Sequence, residues 1–393
     1  MEERKPQDML TVILKTASGV AILLALLFCG IFGYIAYTKS KYHRLTDTHD
    51  LKERIGGYAA DYLKKRPHAA LAIGVIQSNR METFFYGNLS SSNSPPANSD
   101  SLFELGTVTQ VLTALTAQKL VASGKLKWST TVREILPAEV ELAPVFNEIT
   151  LEQLATHRSG LPSVPGNMPA ELIDQSNPFK DYDREDLHNY LANPEDADVP
   201  GKSVVISRLG YALLGHLLEK STGKPFETLV SEEILAPLDM TNTVMNVGSR
   251  TNVAVGHAAT GEPAPSWDGG VFSGAVGFRS TMGDLLKLLA ANIEPGESSL
   301  GEVLKECQQV KAVAFGRRQF GYGWVLTSTL QGELDFVWLS GGTGGFVSFI
   351  GFDRSHGTGI VMLANSGIAM NGDFYLDTLA MEILKLAAKI SLD

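Results

Sequence analysis

Cysteine is scarce in this chain, and its charged residues show no basic excess. The two cysteines stand far apart, Cys29 within a long apolar run and Cys307 near the other end of the chain. This spacing predicts neither an intrachain disulfide framework nor a cysteine-based zinc site. The formal net charge is −10, and phosphate binding needs clustered lysine and arginine. The composition therefore argues against nucleic acid as the main partner.

The remaining composition is that of a folded protein. Hydrophobic residues make up 44% of the 393 residues and charged residues 19%, which excludes a disordered or fibrous chain. The glycine-rich run at residues 341–345 lacks the Lys-Ser/Thr ending of a nucleotide-binding P-loop. We therefore predict no cofactor and no metal.

One uncharged apolar run, residues 17–37, is long enough to cross a bilayer as a helix. A cleavable signal peptide is the alternative. The run is longer than the apolar region of such peptides, however, and no small-x-small cleavage site follows it. Basic residues stand on both sides of the run, so the positive-inside rule leaves its orientation open. The sequence predicts a single-pass membrane protein anchored through this run.

The body of the chain alternates between strand and helix patterns. Strand-like segments occur near both ends, and helical periodicity dominates between them. The sheet must therefore be completed by segments that are distant in sequence, with a helical lobe inserted between them. We predict an α+β fold at residues 46–393, after a tail and anchor at 1–45. Its α/β lobe comprises about 46–105 and 270–393, and its helical lobe about 106–269. Predicted strands cover 70–76, 83–86, 322–328, 334–339, 346–352 and 359–364, and predicted helices 51–65, 107–120, 151–156, 211–222 and 374–390.

Five segments, in order, resemble the serine β-lactamase and penicillin-binding-protein superfamily, specifically its class C-like branch. The resemblance covers about residues 50–390. It implies an antiparallel sheet flanked by terminal helices, a helical lobe, and an active site between sheet and lobe. The segments are 103–115, 120–127, 149–162, 210–219 with 237–243, and 341–346.

The resemblance places the first catalytic motif of that branch, Ser-x-x-Lys, on Thr107 and Gln110. In that motif one helical turn brings a lysine amine beside the serine hydroxyl, where it removes the proton during attack. Threonine keeps a hydroxyl, but an amide accepts no proton near neutral pH. The matched pair therefore lacks its base.

The second and third motifs show similar replacements. Tyr-x-Asn falls on residues 206–208, where Ile206 stands at the phenol position and Arg208 at the amide position. The strand motif, Lys or His followed by Ser/Thr and Gly, falls on 339–341, where Leu339 stands at the basic position. Isoleucine and leucine move no protons. Since removing a serine nucleophile's base costs on the order of 10⁶ in turnover in subtilisin, three such replacements predict impaired catalysis.

Several of these residues have a structural interpretation beside the functional one. Thr107 suits a helix N-cap. Arg208 is either solvated or paired within the fold, or it plugs the cleft or binds an anion there. The resemblance makes His157 structural, and Tyr211 is expected to pack beneath the site, with a role as a displaced base as its alternative.

Three functional hypotheses follow. The favoured one is a membrane-anchored pseudoenzyme that binds a peptide, a peptidoglycan (cell-wall) fragment or a protein partner in the former active-site cleft. Thr107, Arg208, Ser340 and Thr343 would line that cleft. The alternatives are an active hydrolase of esters, β-lactams or D-amino-acid peptides that uses Thr107 as nucleophile, and a membrane-tethered structural adaptor. The resemblance places the body on the periplasmic or extracellular side.

Overall fold

The computed structural model describes residues 50–78, 80–90, 94–168, 176–194, 196–314, 318–328, 335–367 and 375–389. The predicted membrane segment at residues 17–37 lies outside these ranges. Within them, every helix is too short or too polar to cross a bilayer. Residues 50–57 belong to one compact unit, and the described residues from 58 onward belong to a second.

Helix α1 covers Leu51–Lys65, the bounds that the sequence predicts. Within the first unit, Asp50 precedes the helix, and its Oδ1 accepts a hydrogen bond from the Lys52 amide at 2.8 Å. An aspartate before the first helical residue satisfies an amide that the helix leaves without a partner.

The second unit is built on an antiparallel sheet of eight strands within the described residues. The strands are β1 Leu71–Gln77, β2 Arg80–Tyr86, β5 Ala312–Val313, β6 Gln319–Phe320, β7 Val325–Ser328, β8 Asp335–Gly342, β9 Val347–Asp353 and β10 Thr358–Ala364. Their order in the sheet is β2-β1-β10-β9-β8-β7-β6-β5. Strand β1 pairs with β10 along its whole length, with Leu71 opposite Ala364. This pairing confirms that sequence-distant segments complete the sheet. A separate two-stranded sheet pairs β3, Phe103–Glu104, with β4, Arg279–Ser280.

The elements between β3 and β5 are helices, apart from β4. Polar side chains begin several of them, and Thr131, Thr150 and Asp183 each complete a capping box. The helices are α2 Thr109–Ala122, α3 Val132–Ile135, α4 Leu151–Ala155, α5 Arg184–Ala192, α6 Arg208–Thr222, α7 Phe226–Val230, α8 Ser273–Val276, α9 Met282–Ile293, α10 Ser299–Cys307 and, at the end, α11 Tyr375–Ala387. Short 3₁₀ turns occur at Gly106–Val108, Pro144–Phe146 and Gly270–Phe272, and a π-helical turn at Ser231–Leu235.

The sheet forms the centre of the core. Every residue of β9 and β10 is buried, as the near-continuous apolar runs of these strands require. Helix α9 packs against β1, β9 and β10, and α11 packs against β9 and β10. The α+β prediction, with its antiparallel sheet, is confirmed. The lobe boundaries near residues 105 and 270 stay predictions.

Candidate active site

A cavity of about 520 Å³ opens beside the last residues of β8. Five of the seven predicted site residues line it: Thr107, Ile206, Arg208, Leu339 and Ser340. Gln110 and Thr343 are not part of the lining. The other lining residues are Tyr62, Arg66, Arg318, Val325, Trp338, Gly341, Gly342, Val347, Gly367, Leu376 and Asp377.

Thr107 is positioned by the 3₁₀ turn that precedes α2. Gly106 has a φ of +50°, and a Cβ there would lie 2.6 Å from the carbonyl oxygen of Gly342. The turn therefore needs glycine to approach β8 closely. The interpretation of Thr107 as a helix N-cap is wrong: Val108 occupies that position, and no side chain caps the turn or the helix. The backbone is already helical at Leu105, so no extended capping residue precedes α2.

Gln110 lies behind the cavity. Its side chain is 1% exposed, and its Nε2 donor has no hydrogen-bond acceptor in the described part of the chain. The amide therefore does not bond to the Thr107 hydroxyl through Nε2. Thr343 is also buried, and its hydroxyl likewise lacks a partner among the described residues.

Residues 206–208 form the junction that begins α6. Ser207 caps this helix: its Oγ accepts a hydrogen bond from the Gly210 amide at 2.8 Å and donates to the Pro162 carbonyl at 2.6 Å. The helix consequently begins at Arg208, three residues earlier than the apolar pattern predicts. Ile206 precedes the cap with its side chain 46% exposed.

Arg208 is the first residue of this helix, and most of its side chain is enclosed. Its Nη1 donates to Ser163 Oγ at 3.2 Å, while the buried Nε has no acceptor among the described residues. Burial lowers the pKa of the guanidinium, and no charged neighbour contributes to that shift. Within the described chain, Arg208 is therefore held by a single neutral hydroxyl and forms no ion pair.

Residues 339–341 lie near the end of β8. Strand β8 lies inside the sheet, between β7 and β9. Its pairing with β7 ends at Trp338, opposite Val325, whereas its pairing with β9 continues to Gly342. The last four residues of β8 are therefore open on the β7 side, and the cavity lies there.

Asp377, on α11, is a lining residue that the sequence analysis did not select. Burial raises the pKa of its carboxyl to about 6, and a hydrogen bond from Ser340 opposes that shift. The whole of β9 and β10 separates it from Ser340 along the chain, and no local motif marks it. The same holds for Arg66 and Arg318, which stand outside the family-like segments.

His157 and Tyr211 lie beneath the site and not in it. The Tyr211 hydroxyl donates to the Ala155 carbonyl at 2.7 Å, and the ring is fully buried. His157 Nδ1 accepts a hydrogen bond from the Ser207 amide at 3.2 Å. Both contacts support packing and positioning, since burial also raises the pKa of the Tyr211 phenol and so opposes a role as base.

We expect His157 to make the fold sensitive to acid. Burial lowers its pKa from 6.5 to about 4. Between these values the unfolded chain binds the proton and the folded chain does not, so stability present above pH 6.5 is lost as the pH falls toward 4. The loss is about 3 kcal/mol from this group. Denaturant unfolding at pH 7 and pH 4.5 measures this loss. His157→Asn should reduce the difference in unfolding free energy between the two pH values, because asparagine does not titrate. Asparagine also tolerates the φ of +59° at this position. An unchanged difference would contradict this assignment.

The chemistry available to the lining is limited. Three hydroxyls, those of Tyr62, Thr107 and Ser340, three guanidinium groups and one carboxyl face or border the cavity. In the described residues, no carboxylate, imidazole or amine hydrogen-bonds to the Thr107 hydroxyl. The described chain also places no group of three or more His, Cys, Asp or Glu residues where they could hold a metal ion.

The comparisons with known proteins agree on one family. A family model described as "Beta-lactamase" matches residues 49–385. A protein named beta-lactamase from Pseudomonas fluorescens is 26% identical over 349 residues, covering 80% of this chain and 94% of that protein. The D-alanyl-D-alanine-carboxypeptidase/endopeptidase AmpH of Escherichia coli K12 is 26% identical over 302 residues, covering 71% and 75%.

The solved structures show the same fold. A structure described as a class C beta-lactamase superposes with a TM-score of 0.74 at 23% identity, covering 85% of this chain and 96% of that one. The resemblance read from the sequence is thereby confirmed at the level of the superfamily. With a family model spanning most of the chain, this protein belongs to the beta-lactamase family.

Proposed function

We propose that this chain is a membrane-anchored pseudoenzyme of the beta-lactamase family, which binds a ligand in the former active-site cleft without acyl transfer. One observation carries the proposal: the Thr107 hydroxyl lines an open cavity, yet it has no hydrogen-bonded proton acceptor within the described residues. A hydroxyl without a base is a weak nucleophile. The ligand would be a peptide, a peptidoglycan fragment or a segment of a protein partner.

The cavity itself favours ligand binding over a purely structural adaptor. An idle cleft would be filled by side chains such as Arg208 and Leu339, whereas about 520 Å³ stays open here. This volume lies within the range of small-molecule sites.

The anchor and the location of the body rest on the sequence. Residues 17–37 supply an uncharged run of membrane-spanning length, and the family resemblance supports a periplasmic or extracellular body. Release of the chain from membranes by alkaline carbonate would contradict the anchor.

An active hydrolase is the second candidate. It is favoured by the position of Thr107 in the cavity lining and by the relatives named as a beta-lactamase and a carboxypeptidase/endopeptidase. Such an enzyme would need a base that the described residues do not bring to Thr107.

Acylation distinguishes the two candidates. We expect the detergent-purified full chain to form no adduct with a fluorescent penicillin or a fluorophosphonate, as judged by intact mass. The reason is that Gln110, Ile206 and Leu339 stand where the family-like motifs carry proton-transfer groups. Thr107→Ala is the matched control and should likewise show no adduct. A stoichiometric adduct on the native chain that Thr107→Ala abolishes would overturn the proposal and identify Thr107 as a nucleophile.

A further inference from the structure

More cationic than anionic side chains line the cavity. Three guanidinium groups, those of Arg66, Arg208 and Arg318, line it against one carboxyl, that of Asp377. Arg66 stacks over the Tyr62 ring at 4.7 Å, and Arg318 is exposed. Cationic side chains therefore outnumber carboxyls among the lining residues. Burial lowers the pKa of one of these cations, Arg208.

Arg208 is held in place but not neutralised. In the described chain its polar contact is the neutral Ser163 hydroxyl, and its buried Nε has no acceptor. Enclosing a cation without a counter-charge is unfavourable. A guanidinium presents its donors as a planar fork that matches the two oxygens of a carboxylate. The free donors of Arg208 thus fit an anion that is not part of the described protein.

The side of the cavity near Ser340, on β8, carries the carboxyl of Asp377. The Asp377 carboxyl is hydrogen-bonded to Ser340, and no cation contributes to its pKa. A ligand anion would be repelled there. The anionic end of a ligand is therefore directed toward Arg208, at the start of α6, and away from the Ser340 side.

The wall around Arg208 is apolar. Ile206 and Leu339 line the cavity, and Ile206, Val205 and Val199 are large exposed apolar side chains in the segment just before α6. This segment is tied down, because the Val205 amide donates to the His157 carbonyl at 2.9 Å. Of these three side chains, that of Ile206 lies in the cavity lining, where it offers an apolar surface to a ligand.

We propose that Arg208 is the anion-binding residue of the cleft, and that the ligand is an organic carboxylate with an apolar body. The carboxylate accepts hydrogen bonds from the Arg208 guanidinium, and the apolar body lies against Ile206 and Leu339. The inference rests on the proposed function, since it names the ligand class of that same cleft.

A series of three matched probes tests it on the full chain: 3-phenylpropionate, 3-phenyl-1-propanol and phenylalanine, titrated by ligand-observed NMR. We expect the carboxylate to bind about tenfold more tightly than the neutral alcohol, as a charge-assisted hydrogen bond provides. It should also bind more tightly than phenylalanine, whose ammonium adds a positive charge near the Arg208 guanidinium.

Variants separate the roles of the two charged residues. Arg208→Gln should lose the carboxylate preference while leaving binding of the alcohol unchanged, and Arg208→Lys should recover part of it. Asp377→Asn should strengthen carboxylate binding by a few fold, because a like charge is removed. Arg184→Gln is the control, since Arg184 is an exposed arginine paired with Glu219 outside this cavity.

The results that would contradict these expectations can be told apart. Equal binding of carboxylate and alcohol, or an unchanged preference in Arg208→Gln, would overturn the inference but leave a ligand-binding cleft. Tighter binding of phenylalanine would replace it with a zwitterion site, and no binding of any probe would also overturn it. A covalent adduct on Thr107 would instead overturn the proposed function, whatever the charge preference.

Discussion

Replacing Arg279 with methionine is expected to lower the free energy of unfolding by about 3–5 kcal/mol. Arg279 Nη2 lies 3.2 Å from Glu104 Oε1, across the β3–β4 pair, and the two side chains are 12% and 4% exposed. Arg279 also donates to the carbonyls of Met245 and Trp267, at 2.6 and 2.8 Å. The substitution would leave a buried carboxylate and two carbonyls without their donor.

The expected loss of stability arises because the substitution leaves the Glu104 carboxylate buried without its cation, and not because the intact Glu104–Arg279 pair is strongly stabilising. Glu104 Oε2 and Arg279 Nε are buried without partners among the described residues, so the desolvation of the two charges is incompletely compensated. Glu104→Gln combined with Arg279→Met should therefore recover part of the loss, because the amide oxygen still accepts from the Trp267 amide, as Glu104 Oε1 does at 3.0 Å.

Denaturant unfolding followed by tryptophan fluorescence measures these differences. Arg184→Met is the matched control: its pair with Glu219 is exposed by 56% and 25%, and exposed pairs contribute at most about 1 kcal/mol. A loss below about 1 kcal/mol in Arg279→Met would show that the buried pair does not stabilise the junction of β3 and β4.

Gly341→Ala is expected to lower stability by about 3 kcal/mol or more, above the usual range for overpacking. A Cβ at this position would collide with the Leu105 carbonyl oxygen and lie 2.8 Å from the Val108 amide nitrogen. Both atoms belong to the backbone around the 3₁₀ turn that carries Thr107, so no side-chain rotation relieves the clash. The substitution would push this turn away from β8.

The same variant should also disturb the cavity, since it separates two of its walls. Ser348 Oγ donates to the Leu105 carbonyl at 2.7 Å, and this bond would be strained with the turn. Gly283→Ala is the control, because the nearest atom to its Cβ would lie 3.9 Å away, within α9. Alanine there should stabilise the helix by about 0.5–1 kcal/mol. Thermal unfolding of the two variants distinguishes a local clash from a general effect of removing glycine, and equal melting temperatures would contradict the close contact.

Secondary structure was readily predicted where local patterns control it. The bounds of α1 agree with the prediction, and β9 and β10 follow their apolar runs within one residue. Short elements escaped prediction, including β3 and β4, because two residues contain no period. The start of α6 was also missed, since the cap at Ser207 lies outside the apolar repeat.

The residues of the candidate site were also predicted only in part from the sequence. The three motif positions located Thr107, Ile206, Arg208, Leu339 and Ser340, and the fold brings them around one cavity. Gln110, selected by motif position, and Thr343, expected to line the cleft, lie outside that lining. Distance along a motif does not determine which side of an element a side chain occupies after packing.

The sequence by itself determined the α+β class, the order of the main elements and the resemblance to the superfamily, because periodicity, caps and motifs depend on neighbouring residues. The tertiary structure alone decided the electrostatics of the cleft. Arg208 loses solvent through packing against distant segments, and the bond between Ser340 and Asp377 joins β8 to the last helix. Glu104 and Arg279 meet across 175 positions. Such contacts are set by how the sheet and helices pack together, which no local pattern contains.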